Sequence, residues 1–267
     1  MPDCQIRHLT GVKKRFGVRF SVYRLDLAIQ AEQLRNKLRG SVKAKVILVV
    51  FITIVLSSCI NLNLSLSPDN FRKESPYEYY IYVPTSYSVD DDWPVFVFIH
   101  GAGGSGKDCW NKFQRYSEKE GYILVCPSLS DAGGGWYQED GNIKLLSILD
   151  QVYSEYSVRT QVFLSGFSAG GQFVQGFAFS YPENVAGVSV IAPGNIYIPT
   201  EGASLKPFYV MVGDLDTPDI VKRSQQLAIS LEQYGYPVKY FLIPGIGHQM
   251  NDQEIDLTLE LYRSLFP

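Results

Sequence analysis

The chain has 267 residues, 46% of them apolar and 19% charged, a globular composition long enough for one sizeable core. Its net charge of −3 is unevenly spread: residues 1–58 carry eleven Lys/Arg against three Asp/Glu, a net of +8, and the remaining 209 carry thirteen against twenty-four, a net of −11. An acidic body excludes nucleic-acid binding, which needs positive charge facing the phosphates.

Residues 46–56 (VILVVFITIVL) are apolar except for Thr53. Eleven residues fall short of the roughly 20 that a membrane-spanning helix needs, but they suit the apolar core of a signal peptide. Lys43 and Lys45 stand just before the run, and Leu56-Ser57-Ser58-Cys59 closes it. That tetrapeptide resembles a bacterial lipobox, where a lipoprotein is cut before cysteine and lipidated on it. The resemblance implies a signal peptide over 42–58, lipidation of Cys59, export, and attachment to the membrane of the cell envelope. Residues 59–76, with Asn, Ser and Pro, read as a tether. Residues 1–41 read as an extension ahead of a true start at Val42, which would use a non-AUG codon because Met1 is the only methionine before Met211. The alternative keeps Met1 and makes 46–56 a short signal anchor. Of the cysteines outside this head, Cys109 and Cys126 are expected to be separate buried thiols, although an exported setting permits them to pair.

The catalytic body is expected over 77–267. Residues 77–83 (YEYYIYV) are aromatic-rich and predict an edge or near-edge strand. Residues 95–99 (VFVFI) are wholly apolar, the mark of a strand buried on both faces. A Gly-rich loop at 101–106 leads to a helix over 107–120, and a buried strand follows at 122–126. The loop 128–141 carries Trp136 and Tyr137, which either wall the substrate site or pack on the body. Residues 142–156 set Ile143, Leu145, Leu146, Leu149, Val152 and Tyr153 on one helical stripe. Strands are predicted at 161–165, 185–191, 207–212 and 238–243, and helices at 172–181, 219–235 and 252–265. Strands alternating with helices predict an α/β class with a mainly parallel sheet covered on both faces. No insertion is long enough to form a large lid.

Between the strand at 161–165 and the next helix lies Gly166-Phe167-Ser168-Ala169-Gly170. A strand that turns sharply into a helix needs glycine two residues before and after its apex, because a Cβ there would clash. A serine at that apex becomes a nucleophile only when a base takes its proton and a carboxylate orients the base. His8 lies in the head, and His100 ends a buried strand and supports the Gly-rich loop. His248, in the loop just past the last strand, is the expected base, since ligand-facing groups gather at the carboxyl ends of such strands. The acid is expected to be Asp216, with Asp214 in reserve. The amides of Ala102 and Ala169, with Gly103 as substitute for the first, are the expected oxyanion donors. No metal or cofactor is needed for this chemistry.

His-Gly-Ala-Gly-Gly after a strand, Gly-Phe-Ser-Ala-Gly, Gly-Asp-Leu-Asp-Thr-Pro and Gly-Ile-Gly-His, in that order, resemble the α/β-hydrolase superfamily. Within it the likeness is to bacterial esterases related to polyhydroxybutyrate depolymerases, feruloyl esterases and acetylxylan esterases, and it covers about residues 77–267. It implies the α/β-hydrolase fold and ester hydrolysis on a small-molecule or polymer-attached substrate. A serine peptidase on the same site, and a lipid-anchored binding protein with a dead site, are the alternatives. Residues 101–107 also match G-x-x-x-x-G-K, the phosphate loop of NTPases, but Asp108 stands where that loop has Ser or Thr, and a carboxylate there repels phosphate.

Overall fold

The computed structural model describes residues 71–129, 138–199 and 205–267, which belong to one of two compact units, Leu66–Pro267. The apolar run at 46–56, Cys59, Trp136 and Tyr137 lie outside the described residues. Among the described residues eight strands form one sheet: β1 (Arg72–Lys73), β2 (Tyr79–Tyr82), β3 (Trp93–Ile99), β4 (Ile123–Pro127), β5 (Val158–Phe167), β6 (Val185–Ile191), β7 (Phe208–Gly213) and β8 (Val238–Ile243). They lie in the order β1-β2-β4-β3-β5-β6-β7-β8. β2 pairs antiparallel with β1 and β4, and every neighbour from β4 to β8 is parallel. The helices between them are α1 (Gly106–Glu120), α2 (Gln138–Glu155), α3 (Ala169–Ser180), α4 (Pro218–Gln233) and α5 (Asp252–Leu265).

The period-two rule explains the apolar strands. In β3, Val95, Val97 and Ile99 face a core shared with Leu145 and Leu149 of α2, Phe173 and Phe177 of α3, and Leu227 and Leu231 of α4. The intervening Phe96 and Phe98 face a second core with Trp110 and Phe113 of α1 and Leu259 and Tyr262 of α5. Both faces exclude water, so the strand has no polar position. Large rings fill the face that only two helices cover: Phe96 meets Phe113, Tyr122 and Phe163 with centroids 5.4, 4.9 and 5.0 Å away.

The connection from β3 leads through α1 to β4 on one side, and the chain then returns through α2 to β5 on β3's other side. This reversal is a topological switch point, where the loops leaving the carboxyl ends of neighbouring strands diverge and leave a crevice.

Several expectations are refined. Arg72 and Lys73 pair with Tyr80 and Tyr79, so the sheet begins inside the stretch read as a tether. Strand 77–83 is indeed near the edge, one strand in. β5 runs ten residues rather than five because Val158 already pairs with Trp93. α3 starts at Ala169 rather than 172, leaving no residue between the apex serine and the helix. The expectation of separate thiols is overturned: Cys109 and Cys126 form a disulfide with Cα atoms 5.8 Å apart. The cause is the close docking of α1 on β4. A Cβ on Gly106 would strike the Cys126 carbonyl oxygen, so only glycine lets the helix start this near the strand.

Candidate active site

Ser168 follows β5 with φ 55° and ψ −115°, a backbone conformation that side chains rarely adopt. Its N–H donates to the Ile191 carbonyl at 2.9 Å, and its own carbonyl accepts from Gln172 N–H at 3.0 Å and Gly194 N–H at 3.1 Å. The glycines two away are required as expected. A Cβ on Gly166 would meet the Gly170 carbonyl, and one on Gly170 would meet the carbonyls of Ile99 and His100. The same crowding presses the first turn of α3 against the end of β3.

His248 sits beyond β8, its ring 5.0 Å from that of Phe167. Nδ1 lies 2.7 Å from Asp216 Oδ2, and Nε2 lies 2.9 Å from Ser168 Oγ. An ionised carboxylate only accepts, so Nδ1–H is the donor to Asp216, and Nε2 is left as acceptor for the serine hydroxyl. The Asp216 side chain is fully buried, and its second oxygen takes the Thr217 N–H at 2.6 Å. Asp214 instead accepts from Gly245 N–H at 2.6 Å. That bond, with Asp214 N–H to Ile243 O and Leu215 N–H to Ile246 O (both 2.9 Å), stitches the loop after β7 to the loop that carries His248.

Gly101 to Gly104 form a turn closed by Gly104 N–H to Gly101 O at 3.1 Å, with Gly103 at φ 76° in its third position. The turn begins beside the serine: a Cβ on Gly101 would lie 3.4 Å from that of Ser168. His100 braces it from beneath. Its Nδ1–H donates to the Gly101 carbonyl at 2.8 Å, and Nε2 accepts from Leu129 N–H at 3.2 Å. Burial pushes its pKa down, in keeping with a neutral ring in a structural role. Ala102 and Gly103 are exposed at the tip of the turn, and Ala169 is the first residue of α3. The first intrahelical bond there is Gln172 N–H to Ser168 O, so the amide of Ala169 precedes the helix's own hydrogen-bond ladder.

Where an NTPase would cradle phosphate, Asp108 Oδ2 accepts from Ser105 N–H at 2.8 Å and from its hydroxyl at 2.9 Å. The mouth of α1 is thus filled by its own carboxylate.

Two residues near the site were missed from sequence. Glu254 of α5 is fully buried; Oε2 accepts from Asn251 N–H at 3.0 Å, and Oε1 has no partner among the described residues. Burial pushes its carboxyl up to about 7, Asp216 adds to the rise, and the Asn251 bond, Lys112 and His248 oppose it. Asn-x-x-Glu at 251–254 is a legible capping box, but nothing in sequence shows that it is buried. Lys112 of α1 lines a cleft of about 410 Å³ together with Ala102 and His248, and carried no sequence signal.

No family model matches the chain. Feruloyl esterase B of Thermothelomyces thermophilus is 25% identical over 143 residues, 49% of this chain and 48% of its own length. The probable acetylxylan esterase A of Aspergillus niger is 27% identical over 150 residues, 51% and 46%. The chain therefore spans about half the length of the curated relatives it matches. Among solved structures, esterase PE8 superposes with a TM-score of 0.60 at 18% identity, covering 70% of this chain and 97% of its own. A ferulic acid esterase from Anaeromyces mucronatus gives 0.56 at 16%, covering 68% and 82%. With the mainly parallel sheet helix-covered on both sides, these likenesses show that the chain has the α/β-hydrolase fold.

Proposed function

We propose that the protein is a serine esterase that cleaves carboxylic esters through an acyl-enzyme. The observation that carries this reading is the unbroken hydrogen-bond relay from buried Asp216 through His248 to Ser168 at the apex of a strained elbow. His248 Nε2 takes the Ser168 proton as the oxygen attacks the ester carbonyl. The amides of Ala102 and Ala169, with Gly103 as substitute for the first, hold the oxyanion that forms. His248 then passes the proton to the departing alcohol oxygen, and a water that it deprotonates releases the acyl group. Asp216 fixes the Nδ1–H tautomer of the neutral ring and stabilises the imidazolium that forms when Nε2 holds the proton. The likeness to proteins named feruloyl and acetylxylan esterases supports esters borne on polysaccharide as substrates.

The test is hydrolysis of 4-nitrophenyl acetate, a feruloyl ester and acetylated xylan, with labelling by a fluorophosphonate. Wild type is expected to turn over at least one ester and to take the label. Ser168→Ala should lose both, with a drop of roughly 10⁴-fold or more in kcat. Full hydrolysis by Ser168→Ala sinks the reading.

We also propose that the protein is exported and held to the cell envelope by a lipid on Cys59, on the strength of the lipobox-like sequence. A disulfide in the catalytic body fits an oxidising compartment. Intact mass of the membrane-extracted protein is expected to begin at lipidated Cys59; a species keeping residues 1–41 counts against it.

A further inference from the structure

The cleft of about 410 Å³ beside Ser168 falls in the ordinary size range of small-ligand sites, ~300–1,000 Å³. His248, Gln249 and Met250 line it together with Gly101, Ala102 and Gly104 of the turn and the rings of Phe98 and Phe167. Lys112 enters this apolar space from α1. Its ammonium donates to the Met250 carbonyl at 3.4 Å, a long bond that uses one of three N–H groups. Among the described residues it has no carboxylate within ion-pair distance, and Lys112 is half-buried. The carboxyl of buried Glu254 acts on Lys112 only from beyond ion-pair distance, and an anionic ligand in direct contact offsets the cost of drawing the ammonium partly out of water.

The other charges around the cleft leave that role open. Asp108 is committed to Ser105 at the mouth of its own helix. Glu254 lies fully buried in α5, outside the cleft's lining, with its bonded oxygen turned to Asn251. His248 delivers its proton to the leaving oxygen, so the alcohol half of an ester must sit on the His248 side, which is the wall of this cleft.

We propose that the cleft binds the alcohol half of an ester whose alcohol carries a carboxylate, and that Lys112 pairs with that carboxylate. This rests on the serine-esterase reading and narrows its substrate class to acyl esters of hydroxy acids, sugar acids included. Phe167 covers the body of the alcohol, and Lys112 selects its charged end.

The experiment compares the acetate ester of 4-hydroxybenzoate with phenyl acetate as a ratio of kcat/KM, which cancels most of the effect of folding and of the relay itself. Lys112→Met should lower that ratio about tenfold, the effect of one charge-assisted hydrogen bond. Lys112→Glu should lower it further, and Lys112→Arg should keep it near wild type. Raising salt should shrink the wild-type ratio and leave that of Lys112→Met unmoved. A second pair, 4-nitrophenyl hemisuccinate against 4-nitrophenyl butyrate, puts the carboxylate on the acyl half, and its ratio should not respond to Lys112. Ratios that ignore Lys112 in the first pair, or that respond only in the second, overturn the proposal. So does a parallel fall on both acetates, which marks Lys112 as structural. Wild type inactive on either acetate and on all other esters removes the esterase reading itself, and the inference with it.

Discussion

Ser168 holds a backbone conformation that costs about 1–3 kcal/mol in isolation, and three main-chain hydrogen bonds, one donated to Ile191 and two accepted from Gln172 and Gly194, keep it there. The strain has a geometric product: the hydroxyl projects from the turn and lies 2.9 Å from His248 Nε2. At the acid position the two candidates separate by orientation. Asp216 faces the imidazole and Asp214 faces Gly245. Asp216→Asn is therefore expected to cut kcat by roughly 10⁴-fold, because an amide no longer enforces the Nδ1–H tautomer. Asp214→Asn should instead weaken the stitching of the two loops by about 1 kcal/mol, with a far smaller loss of rate. Kinetics on 4-nitrophenyl acetate beside urea unfolding of both variants checks this; equal rate losses would reverse the assignment.

At the scale of elements, α5 couples a helix cap to a buried charge. Asn251 and Glu254 exchange bonds across the first turn, Glu254 N–H to Asn251 Oδ1 at 2.9 Å and Asn251 N–H to Glu254 Oε2 at 3.0 Å. Among the described residues the second Glu254 oxygen has no partner, so burial favours the neutral acid and its carboxyl is pushed up to about 7 from 4.5. In the unfolded chain it ionises near 4.5. Between these values the folded state binds more protons than the unfolded one, so stability falls as pH rises from about 4.5 through about 7 and levels off above. The loss amounts to about 3 kcal/mol at most. Glu254→Gln keeps a capping residue without the ionisation, so its unfolding free energy should lack this fall between pH 5 and pH 8. Identical pH slopes for the two proteins would count against it.

For the whole molecule, the disulfide joins α1 to β4 across 17 residues. Closing a loop of that length is worth about 3 kcal/mol, which in a domain of this size moves the thermal midpoint by roughly 10 °C. Replacing both Cys109 and Cys126 by Ala should lower the midpoint by that amount, and added reductant should leave the double variant unaffected. A midpoint that stays put would show that the α1–β4 packing is sufficient alone. That packing matters for the site, because α1 follows directly from the Gly101–Gly104 turn.

Much of this architecture was legible because it depends on neighbours in sequence. Runs such as VFVFI have no polar position, so they imply strands covered on both faces. Gly-x-Ser-x-Gly between a strand and a helix implies an elbow, since the clash avoided at Gly166 is with Gly170, four residues on, although the one avoided at Gly170 is with the distant end of β3. The order of loop, serine, acid and histidine after successive strands then determined which residues meet at the carboxyl edge. What only the tertiary structure decided involves groups far apart in the chain or the direction of one side chain. Asp216 rather than Asp214 meets His248 because of how the loop after β7 turns, although both follow the same strand. Cys109 pairs with Cys126 because Gly106 lets a helix settle on a strand, and Lys112 and Glu254 acquire their environments from walls formed by α1, the β8 loop and α5. Local periodicity specifies which elements form and which face is apolar; the charge and solvation of a side chain depend on what the fold packs against it.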